Sequence, residues 1–473
     1  MKYDIIVIGG GASGLMAACS AAREAVSKGK ALRICVLEKM PRPARKIMIS
    51  GKGRCNFTNV KDWSDFAPHI RSGAQFVRPA FRNFPPQAVV SFFEDAGMPT
   101  VVERGDRAFP ASYRSSDVVD ALVRECHGAG VVIQTEAEVQ SVTRESEGFS
   151  ISLADGSCHR CSKLVIATGG LSYPGTGSTG DGLNWARSLG HTVTPLFPSL
   201  TALVPRGYKV PGSEAWAADE DDLPVTDGIP RPEIILLPHH IPRRTSLTEL
   251  GSKLCGISLK NVGVSLVVQG NVADEEFGDV DFTDGGLEGP IGFQLSRKAV
   301  KSLYNGSKVQ IILDLKPGVS LTELTTRVKE LWDEIGRDPR SARLREKERC
   351  RILLGKLMPR DLIPAFTITH PEIITLERRG RADTKVWVNL ASIAKALKEW
   401  RFDIEGYVGW ERAVVTAGGV SLDEVVLKTM ESRLVPGLYF CGEALDIDAD
   451  TGGYNLQLAF STGRLAGQSA ANS

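Results

Sequence analysis

The chain lacks long hydrophobic runs and a strong net charge. No apolar stretch of its 473 residues approaches the ~20 residues that a transmembrane helix needs. The net charge is +1, so no overall field attracts nucleic acid, anionic membranes or acidic substrates. The apolar run at residues 5–8 follows Asp4 and precedes glycines, which does not fit a signal peptide. We therefore expect a soluble protein without a membrane partner.

The chain also lacks a cysteine framework. Its nine cysteines are scattered, which argues against a disulfide-stapled fold and favours a reducing, cytoplasmic setting. The pair Cys158–Cys161 follows an Asp-Gly hairpin signal and enters a strand, where residues three apart point to opposite faces. A redox disulfide is thus poorly placed there. No second close Cys/His pair completes a zinc site, and we predict no metal.

The first forty residues have the order of a dinucleotide-binding unit. Lys2 to Ile8 is rich in Ile and Val, as in a strand buried on both faces. A G-x-G-x-x-G turn follows, then a small-residue helix from Leu15 to Ala25 and a second strand from Leu32 to Leu37. This order predicts a pyrophosphate site.

The glycines of this turn have separate expected roles. Gly9 permits the tight turn, Gly11 lets the backbone approach a pyrophosphate, and Gly14 allows close helix–strand packing. The helix N-terminus favours phosphate, and Glu38 can accept hydrogen bonds from a ribose diol. The candidate contacts in this part are Gly9, Gly11, Ala12, Ser13, Gly14, Glu38 and Lys39.

A second glycine pattern, at 175–180, is expected to be different. Pro174 precedes it, and the strand from Lys163 to Thr168 has ended several residues earlier. We predict a loop that caps a helix from about Asp181 to Leu189; a nicotinamide site is the alternative.

Two later segments favour FAD over NAD. One strand ends in Thr-Gly-Gly at 168–170, and another ends in Gly-Glu at 442–443 before a helix that opens at Gly453 and runs to Ala466. That helix can aim backbone N–H groups at the flavin N1–C2=O edge, where reduction places negative charge. Glycines at strand ends also occur in α/β proteins generally, but here both ends of the chain contribute. The candidate contacts are Thr168, Gly169, Gly442, Glu443, Gly453, Asn455, Leu456 and Gln457.

A specific resemblance joins these segments. Residues 44–59 closely resemble the "GRK…SGGGRCNxTN" signature of the BaiN/RdsA-like NAD(P)/FAD-dependent oxidoreductases, and so do 172–182, 415–420 and 451–457. The resemblance implies FAD contacts at Arg45, Lys46, Ser50, Gly51, Gly53, Arg54, Cys55 and Asn56.

The same resemblance implies an α/β fold with three parts. A discontinuous, Rossmann-like FAD-binding domain of the glutathione-reductase type would comprise 1–195 and 405–473. A β-rich insert domain would comprise 196–317 and 366–404, and a small helical domain 318–365.

The signature loop has a physical rationale. Arg45 and Lys46 can neutralise pyrophosphate, while Gly51 and Gly53 let the backbone approach a flat ring system. Val139, which follows a predicted strand from Val131, is a candidate backbone contact to adenine or else plain sheet core.

The insert carries weaker signals. Strands are predicted at 262–268 and 308–313, an amphipathic helix at 321–335, and an acidic, Pro/Gly-rich surface loop (or a lid) at 206–232. The segment 282–290 departs from the family's Phe-Thr-His…Gly-Leu-Ser-Gly-Pro pattern: Asp284 replaces the histidine and Glu288 the serine. The substrate can therefore differ from that of its relatives.

The segment from Arg337 to Arg351 holds seven Arg or Lys and three Asp or Glu. It is either an RNA-contacting surface or a solvated helical face with internal ion pairs.

The sequence does not identify a catalytic residue, because flavin carries the hydride chemistry. Cys55, Tyr173 and Glu443 are candidates for mutation, and Cys55 is either a proton donor or a buried thiol packed under the cofactor. We expect an FAD-dependent reductase with NAD(P)H as transient donor and an unsaturated C=C or C=N substrate, either a small molecule or uridine in ribosomal RNA. The alternatives are an amine oxidase that releases peroxide and a non-catalytic module that FAD stabilises.

Overall fold

The computed structural model describes residues 1–211, 239–341, 343–378 and 384–473. Most of the predicted surface loop at 206–232 lies outside the described residues.

Strands and helices are numbered in chain order within these ranges. The strands are β1 Lys2–Ile8, β2 Ile34–Leu37, β3 Thr58–Asn59, β4 Ile70–Ser72, β5 Thr100–Glu103, β6 Arg107–Pro110, β7 Val132–Gln134, β8 Val139–Glu145, β9 Gly148–Leu153, β10 Cys158–Ile166, β11 Phe197–Ser199, β12 Leu203–Pro205, β13 Ser258–Val268, β14 Asn271–Thr283, β15 Gly286–Glu288, β16 Val309–Asp314, β17 Ile374–Arg378, β18 Thr384–Val388, β19 Trp400–Tyr407, β20 Val415–Ala417, β21 Leu438–Phe440 and β22 Asp448–Ala449. The helices are α1 Ala12–Ser27, α2 Arg45–Ile49, α3 Trp63–Phe66, α4 Ala74–Asn83, α5 Pro86–Asp95, α6 Ser115–Gly128, α7 Asp181–Ser188, α8 Glu249–Leu254, α9 Gly289–Tyr304, α10 Leu321–Arg337, α11 Glu346–Leu357, α12 Ile363–Thr369, α13 Leu390–Lys398 and α14 Tyr454–Asn472.

The two ends of the chain fold together. One compact unit contains Met1–Ser199 and Ala413–Ser473, and the described part of 200–412 belongs to a second unit. The predicted division of the middle of the chain into a β-rich and a helical domain stays a prediction.

The first unit is built on a mainly parallel sheet. Its order is β7-β2-β1-β10-β9-β8, with β21 paired to β10. β1 lies parallel between β2 and β10, and Ile8 pairs with both Leu37 and Ile166. The carboxyl ends of these three strands therefore meet at one edge of the sheet, where ligands bind in open α/β sheets.

The local predictions for this unit hold, with shifted boundaries. The helix after the glycine turn begins at Ala12, three residues before the predicted start, because Gly11 takes the extended backbone of an N-cap. β10 begins at Cys158, since it pairs with β9 in the hairpin that the Asp-Gly signal indicated. In this strand Cys158 is exposed, Cys161 is buried, and both are free thiols. The second glycine pattern is a loop whose Gly180 caps α7, as predicted.

Two long helices of this unit pack through glycines. An added Cβ at Gly463 of α14 would lie 2.3 Å from the carbonyl oxygen of Ser13, and one at Gly467 would lie 2.0 Å from that of Ala17. Because residue numbers increase together along the contact, α1 and α14 run in the same direction. α14 extends to Asn472, beyond the predicted end at Ala466.

The second unit contains a closed barrel in the order β12-β15-β14-β13-β16-β19. The strands predicted at 262–268 and 308–313 correspond to β13 and β16. The predicted amphipathic helix is α10, which starts with a capping box at Ser320 and Glu323. It buries Leu324, Val328, Leu331 and Ile335, the helical spacing of one apolar face.

Candidate cofactor site

The glycine turn lies at the carboxyl edge of the sheet. Gly9 has φ +104°, and its N–H donates to the Leu37 carbonyl at 2.8 Å. An added Cβ would lie 2.5 Å from the Ala167 oxygen at Gly9 and 1.9 Å from the Gly9 oxygen at Gly14. At Gly11, by contrast, an added Cβ would meet none of the described atoms within 4 Å. The fold therefore requires glycine at 9 and 14, whereas position 11 faces open space.

Two helix N-termini point the same way in this unit. α1 and α14 run parallel, and their contact pairs the second residue of α1 with the tenth of α14. At 1.5 Å per residue, the start of α14 therefore projects about 12 Å beyond the start of α1 along the helix axes. Both helices begin at a glycine without a side-chain cap. Their first-turn N–H groups form two staggered positive ends, which suit an extended anionic ligand.

Glu38 is oriented by the glycine turn. Its side chain is 8% exposed, and it accepts hydrogen bonds from the N–H groups of Gly10 and Met40, both at 2.8 Å. Burial raises the pKa of its carboxyl, while these two bonds oppose the rise. Since each carboxylate oxygen has further acceptor capacity, Glu38 can also receive a ligand hydroxyl.

The signature segment is attached to the same turn. Ala44 precedes α2 in a left-handed conformation, and its N–H donates to the Gly10 carbonyl at 2.8 Å. α2 then starts with Arg45 and Lys46. Lys39, another predicted contact, forms an ion pair with Asp181 at the start of α7, with 2.7 Å between Nζ and Oδ2.

Lys46 belongs to a compact polar cluster with Glu443, Ser172 and Thr416. Its Nζ donates to Glu443 Oε2 at 2.7 Å and to Ser172 Oγ at 2.6 Å. Glu443 Oε1 also accepts from the Thr416 N–H at 2.6 Å and from Ser172 Oγ at 2.8 Å. The Glu443 side chain is 19% exposed. Burial alone raises the pKa of Glu443, but the Lys46 ammonium and these hydrogen bonds outweigh it and hold the pKa below its usual range. The cluster is thus an ionised pair, so the Lys46 charge already has a partner.

The loop after α2 has unusual backbone geometry. Gly51, Lys52 and Gly53 lie in succession in the left-handed region, with φ of 56°, 57° and 86°. Cys55 follows, also left-handed and with no exposed surface. Burial raises the pKa of its thiol to about 12. This environment favours the packing role for Cys55 over the proton donor.

The Arg54 side chain contacts residues outside this loop. Its guanidinium pairs with Glu103, with 2.6 Å between Nη2 and Oε1. It also lies 4.5 Å from the ring centres of both Phe109 and Tyr113. Stacking and the ion pair both fix the side chain.

Asn56 meets the start of α14. Its Oδ1 is buried and has no hydrogen-bond partner among the described residues. An added Cβ at Gly453 would lie 2.8 Å from that oxygen. A buried acceptor without a partner costs stability, so this oxygen has unused capacity to accept a hydrogen bond from a ligand beside the start of α14. This observation, with the open face of Gly11, shows that the site fits a cofactor such as FAD.

Two predicted contacts in the first turn of α14 form hydrogen bonds to other segments of the unit. Asn455 Oδ1 accepts from the Ala449 N–H at 2.9 Å, and its Nδ2 donates to the carbonyls of Ala449 and Asp450. Gln457 is fully buried, and its Nε2 donates to the Phe84 carbonyl at 2.8 Å. Asn455 therefore holds the turn before α14, while Gln457 ties the first turn of the helix to Phe84.

The remaining predicted residues lie in the same unit. Thr168 and Gly169 follow the end of β10 after one intervening residue, Ala167. Val139 begins β8 and is 5% exposed, and the nearby Ala137 N–H donates to the Glu38 carbonyl at 3.0 Å. The position of Val139 near Glu38 is compatible with a backbone contact to adenine. Its burial is equally compatible with a role in the core of the sheet.

A second cluster was missed from the sequence. Buried Asp450 accepts two hydrogen bonds from Arg71, at 2.6 and 2.8 Å, and lies 3.0 Å from Nδ1 of His69. The His69 ring stacks on Tyr454, the first residue of α14, with 4.3 Å between centroids. These partners are nearly 400 residues apart in the chain and form no short motif. Ser172 and Thr416 were missed as well, although both lie in segments that carried the family resemblance.

The glycine turn, the staggered helix ends and the discontinuous unit define a Rossmann-type flavoprotein. The family model "HI0933-like protein Rossmann domain" matches residues 3–469. The chain therefore belongs to the HI0933-like family of flavoprotein oxidoreductases.

Curated relatives match over nearly the whole length. The chain is 30% identical to the 3-dehydro-bile acid delta(4,6)-reductase of Clostridium scindens, covering 98% of each chain. It is 28% identical to the ribosomal RNA dihydrouridine synthase of Escherichia coli, covering 98% of this chain and 96% of that one. The protein of that name from Haemophilus influenzae is 27% identical, with 97% and 96% covered. Among the described residues, no helix has the length and apolar character needed to cross a membrane.

Proposed function

We propose that this protein is an FAD-dependent reductase that takes hydride from NAD(P)H and reduces a C=C or C=N bond, with uridine in ribosomal RNA as its substrate. The observation that carries the proposal is the full-length similarity to relatives whose names describe one kind of reaction. Dihydrouridine is uridine with one ring double bond reduced, and a delta(4,6)-reductase also acts on carbon–carbon double bonds. The identities to the two kinds of relative are too similar to choose a substrate, and the basic segment at 337–351 favours RNA.

We assign the FAD contacts by the chemistry that each part of the site offers. The first turn of α1 and the Gly11 backbone would bind pyrophosphate, and Glu38 the adenosine ribose. The first turn of α14 would face the flavin pyrimidine edge. When bound, FAD supplies the hydride-transfer chemistry. The other proposed contacts are Lys39, Arg45, Lys46, residues 50–51 and 53–56, Val139, Thr168, Gly169, Gly442, Glu443 and residues 453 and 455–457.

The chain's own residues would control charge at this site. The N–H groups at the start of α14 stabilise negative charge, and Asn455 keeps that turn in place. Glu443 is ionised and accepts several hydrogen bonds, so it is a positioning residue and not a proton donor. Cys55 is a weak acid without exposed surface. Of the three candidates, half-buried Tyr173 remains the one to test as the acid.

The test is dihydrouridine formation on an unmodified ribosomal RNA transcript. The purified protein is incubated with NADH or NADPH, and the RNA is digested and analysed by nucleoside mass spectrometry. We expect dihydrouridine only when protein and nicotinamide are both present. Unchanged dihydrouridine in ribosomal RNA from cells that lack the gene would contradict this substrate. Peroxide released from small amines without nicotinamide would support the amine oxidase instead.

A further inference from the structure

A concentrated positive charge lies around the turn between α10 and α11. Residues 337–351 contain seven Arg or Lys against three Asp or Glu, while the whole chain has a net charge of only +1. A protein without an overall positive field needs such a local surface to bind a polyanion. The structure shows which of these charges have partners.

The acidic residues of the segment serve the local fold. Asp338 caps the turn by accepting from the Arg340 N–H at 2.9 Å. Glu348 accepts from the Arg345 N–H at 3.0 Å and forms an ion pair with the Arg345 guanidinium at 3.4 Å. Glu346 lies in the first turn of α11, where the helix dipole favours an acid. These carboxylates therefore neutralise few of the cations.

Arg349 also has a partner inside the second unit. Its guanidinium lies 4.6 Å from the ring centre of Trp332 on α10. The contact joins the two helices, and we exclude both Arg349 and Arg345 from the candidate surface.

Five cations remain exposed, and none forms an ion pair with another described residue. Lys347 and Arg351 are four residues apart on α11 and share a face of that helix, while Cys350, Leu353, Leu354 and Leu357 are buried. The basic surface consists of Arg337, Arg340, Arg343, Lys347 and Arg351.

We propose that the basic surface docks RNA by contacting its phosphates. The inference rests on the proposed function, for which it identifies the part of the chain that recognises a polynucleotide. Unpaired exposed cations in one short segment are complementary in charge to an RNA backbone, and each phosphate contact releases counterions. Phosphate contacts orient the RNA without reading its sequence, so base selection would belong to the flavin site.

The experiment compares two triple variants with the same net charge. The docking variant is Arg343→Gln/Lys347→Gln/Arg351→Gln. The control is Lys260→Gln/Arg327→Gln/Arg401→Gln, which removes exposed cations of the same unit that pair with Asp279, Glu330 and Glu399 at 2.9, 3.2 and 2.9 Å. Binding of a labelled, unmodified ribosomal RNA transcript is measured by fluorescence anisotropy at several salt concentrations. Thermal unfolding confirms that both variants fold.

The docking variant should bind about 100-fold more weakly at 0.1 M salt. The slope of log affinity against log salt concentration should be smaller in magnitude by about two to three, because each of the three lost phosphate contacts removes about 0.7 to 0.9 from it. The control should stay within about threefold of the wild type, because its cations are already paired. Equal loss in both variants, no loss in either, or binding to anionic phospholipid vesicles in preference to RNA would overturn the proposal.

Dihydrouridine formation separates this inference from the proposed function. If, at limiting RNA, the docking variant forms dihydrouridine at the same rate as the wild type, RNA docking by the basic surface is refuted and the proposed function stands. If the wild type binds RNA through the surface but forms no dihydrouridine, the surface stands and the proposed function fails.

Discussion

Gly11→Ala should weaken FAD binding without harming the fold. Gly11 has φ −80°, which any residue adopts, and an added Cβ would meet none of the described atoms within 4 Å. The free energy of unfolding of the apoprotein should therefore change little. Alanine gains about 0.4–1 kcal/mol by restricting the unfolded chain. It loses a similar amount as a poorer N-cap, so the net change should lie within about 0.5 kcal/mol of zero.

The effect on FAD should be much larger. If the pyrophosphate lies against the Gly11 backbone, the new methyl group displaces it from the first-turn N–H groups of α1. We expect a loss of about 10- to 100-fold in affinity, which corresponds to about 1.4–2.8 kcal/mol. Titration of apoprotein with FAD, followed by the quenching of flavin fluorescence, measures this loss directly.

Gly14→Ala is the matched control, because it places the same methyl group one helical turn further on. There the added Cβ would lie 1.9 Å from the Gly9 carbonyl oxygen, so the helix and strand must separate. This variant should lose stability and FAD together. Wild-type FAD affinity in a folded Gly11→Ala protein would refute our placement of the pyrophosphate.

Three further variants test the rest of the site. Lys46→Met leaves the largely buried Glu443 carboxylate without its cation and should lower the free energy of unfolding by about 2 kcal/mol at pH 7, measured by urea unfolding. In the wild type, the stability that ionised Glu443 contributes is lost as pH falls through its lowered pKa. In the variant, burial raises that pKa, so its free energy of unfolding should increase as pH falls from about 6 to 4. The reasoning fails if both proteins show the same pH profile. In Cys55→Ala, NAD(P)H should reduce the flavin at a rate within about twofold of the wild type. The cavity left by the thiol should lower the free energy of unfolding by about 1–2 kcal/mol. If stopped-flow traces show no flavin reduction although the FAD content is normal, Cys55 would again be a candidate proton donor. Asn455→Ala removes three hydrogen bonds to residues 449–450 and should lower the free energy of unfolding by about 2–3 kcal/mol, measured by urea titration. It should also weaken FAD binding, measured by FAD titration. An unchanged FAD affinity would show that this turn does not present the α14 N-terminus to the cofactor.

The sequence predicted the parts of the fold that local rules determine. Hydrophobic runs and the glycine turn predicted β1 and α1 to within three residues, and the Asp-Gly signal predicted the hairpin between β9 and β10. The capping loop before α7 and the amphipathic α10 followed for the same reason. These features depend on residues that are close to one another in the sequence, so a single sequence is enough to predict them.

Side-chain partners were less predictable, because they are brought together by the whole fold. Lys46 was expected to neutralise pyrophosphate, but its ammonium pairs with Glu443, 397 residues away. Arg54 likewise pairs with Glu103 and stacks on two aromatic rings. The Asp450–His69 contact spans 381 residues. The proposed FAD contacts at these positions stay predictions until affinity is measured.

The substitutions at Asp284 and Glu288 have a structural explanation within the second unit. Glu288 is largely buried and pairs with Arg412 through both carboxylate oxygens, at 2.8 and 3.1 Å. Asp284 pairs with Arg243 at 2.9 Å. Where the family pattern has histidine and serine, this chain therefore carries a network of ion pairs.

The central claim, a flavin that nicotinamide reduces, is tested most directly by anaerobic mixing. The purified yellow protein is mixed with NADH or NADPH in a stopped-flow instrument, and flavin absorbance is followed near its visible maximum. Our account predicts rapid bleaching, followed by recovery when an unmodified ribosomal RNA transcript is added. Absence of bleaching by either nucleotide, with FAD confirmed as bound, would contradict it.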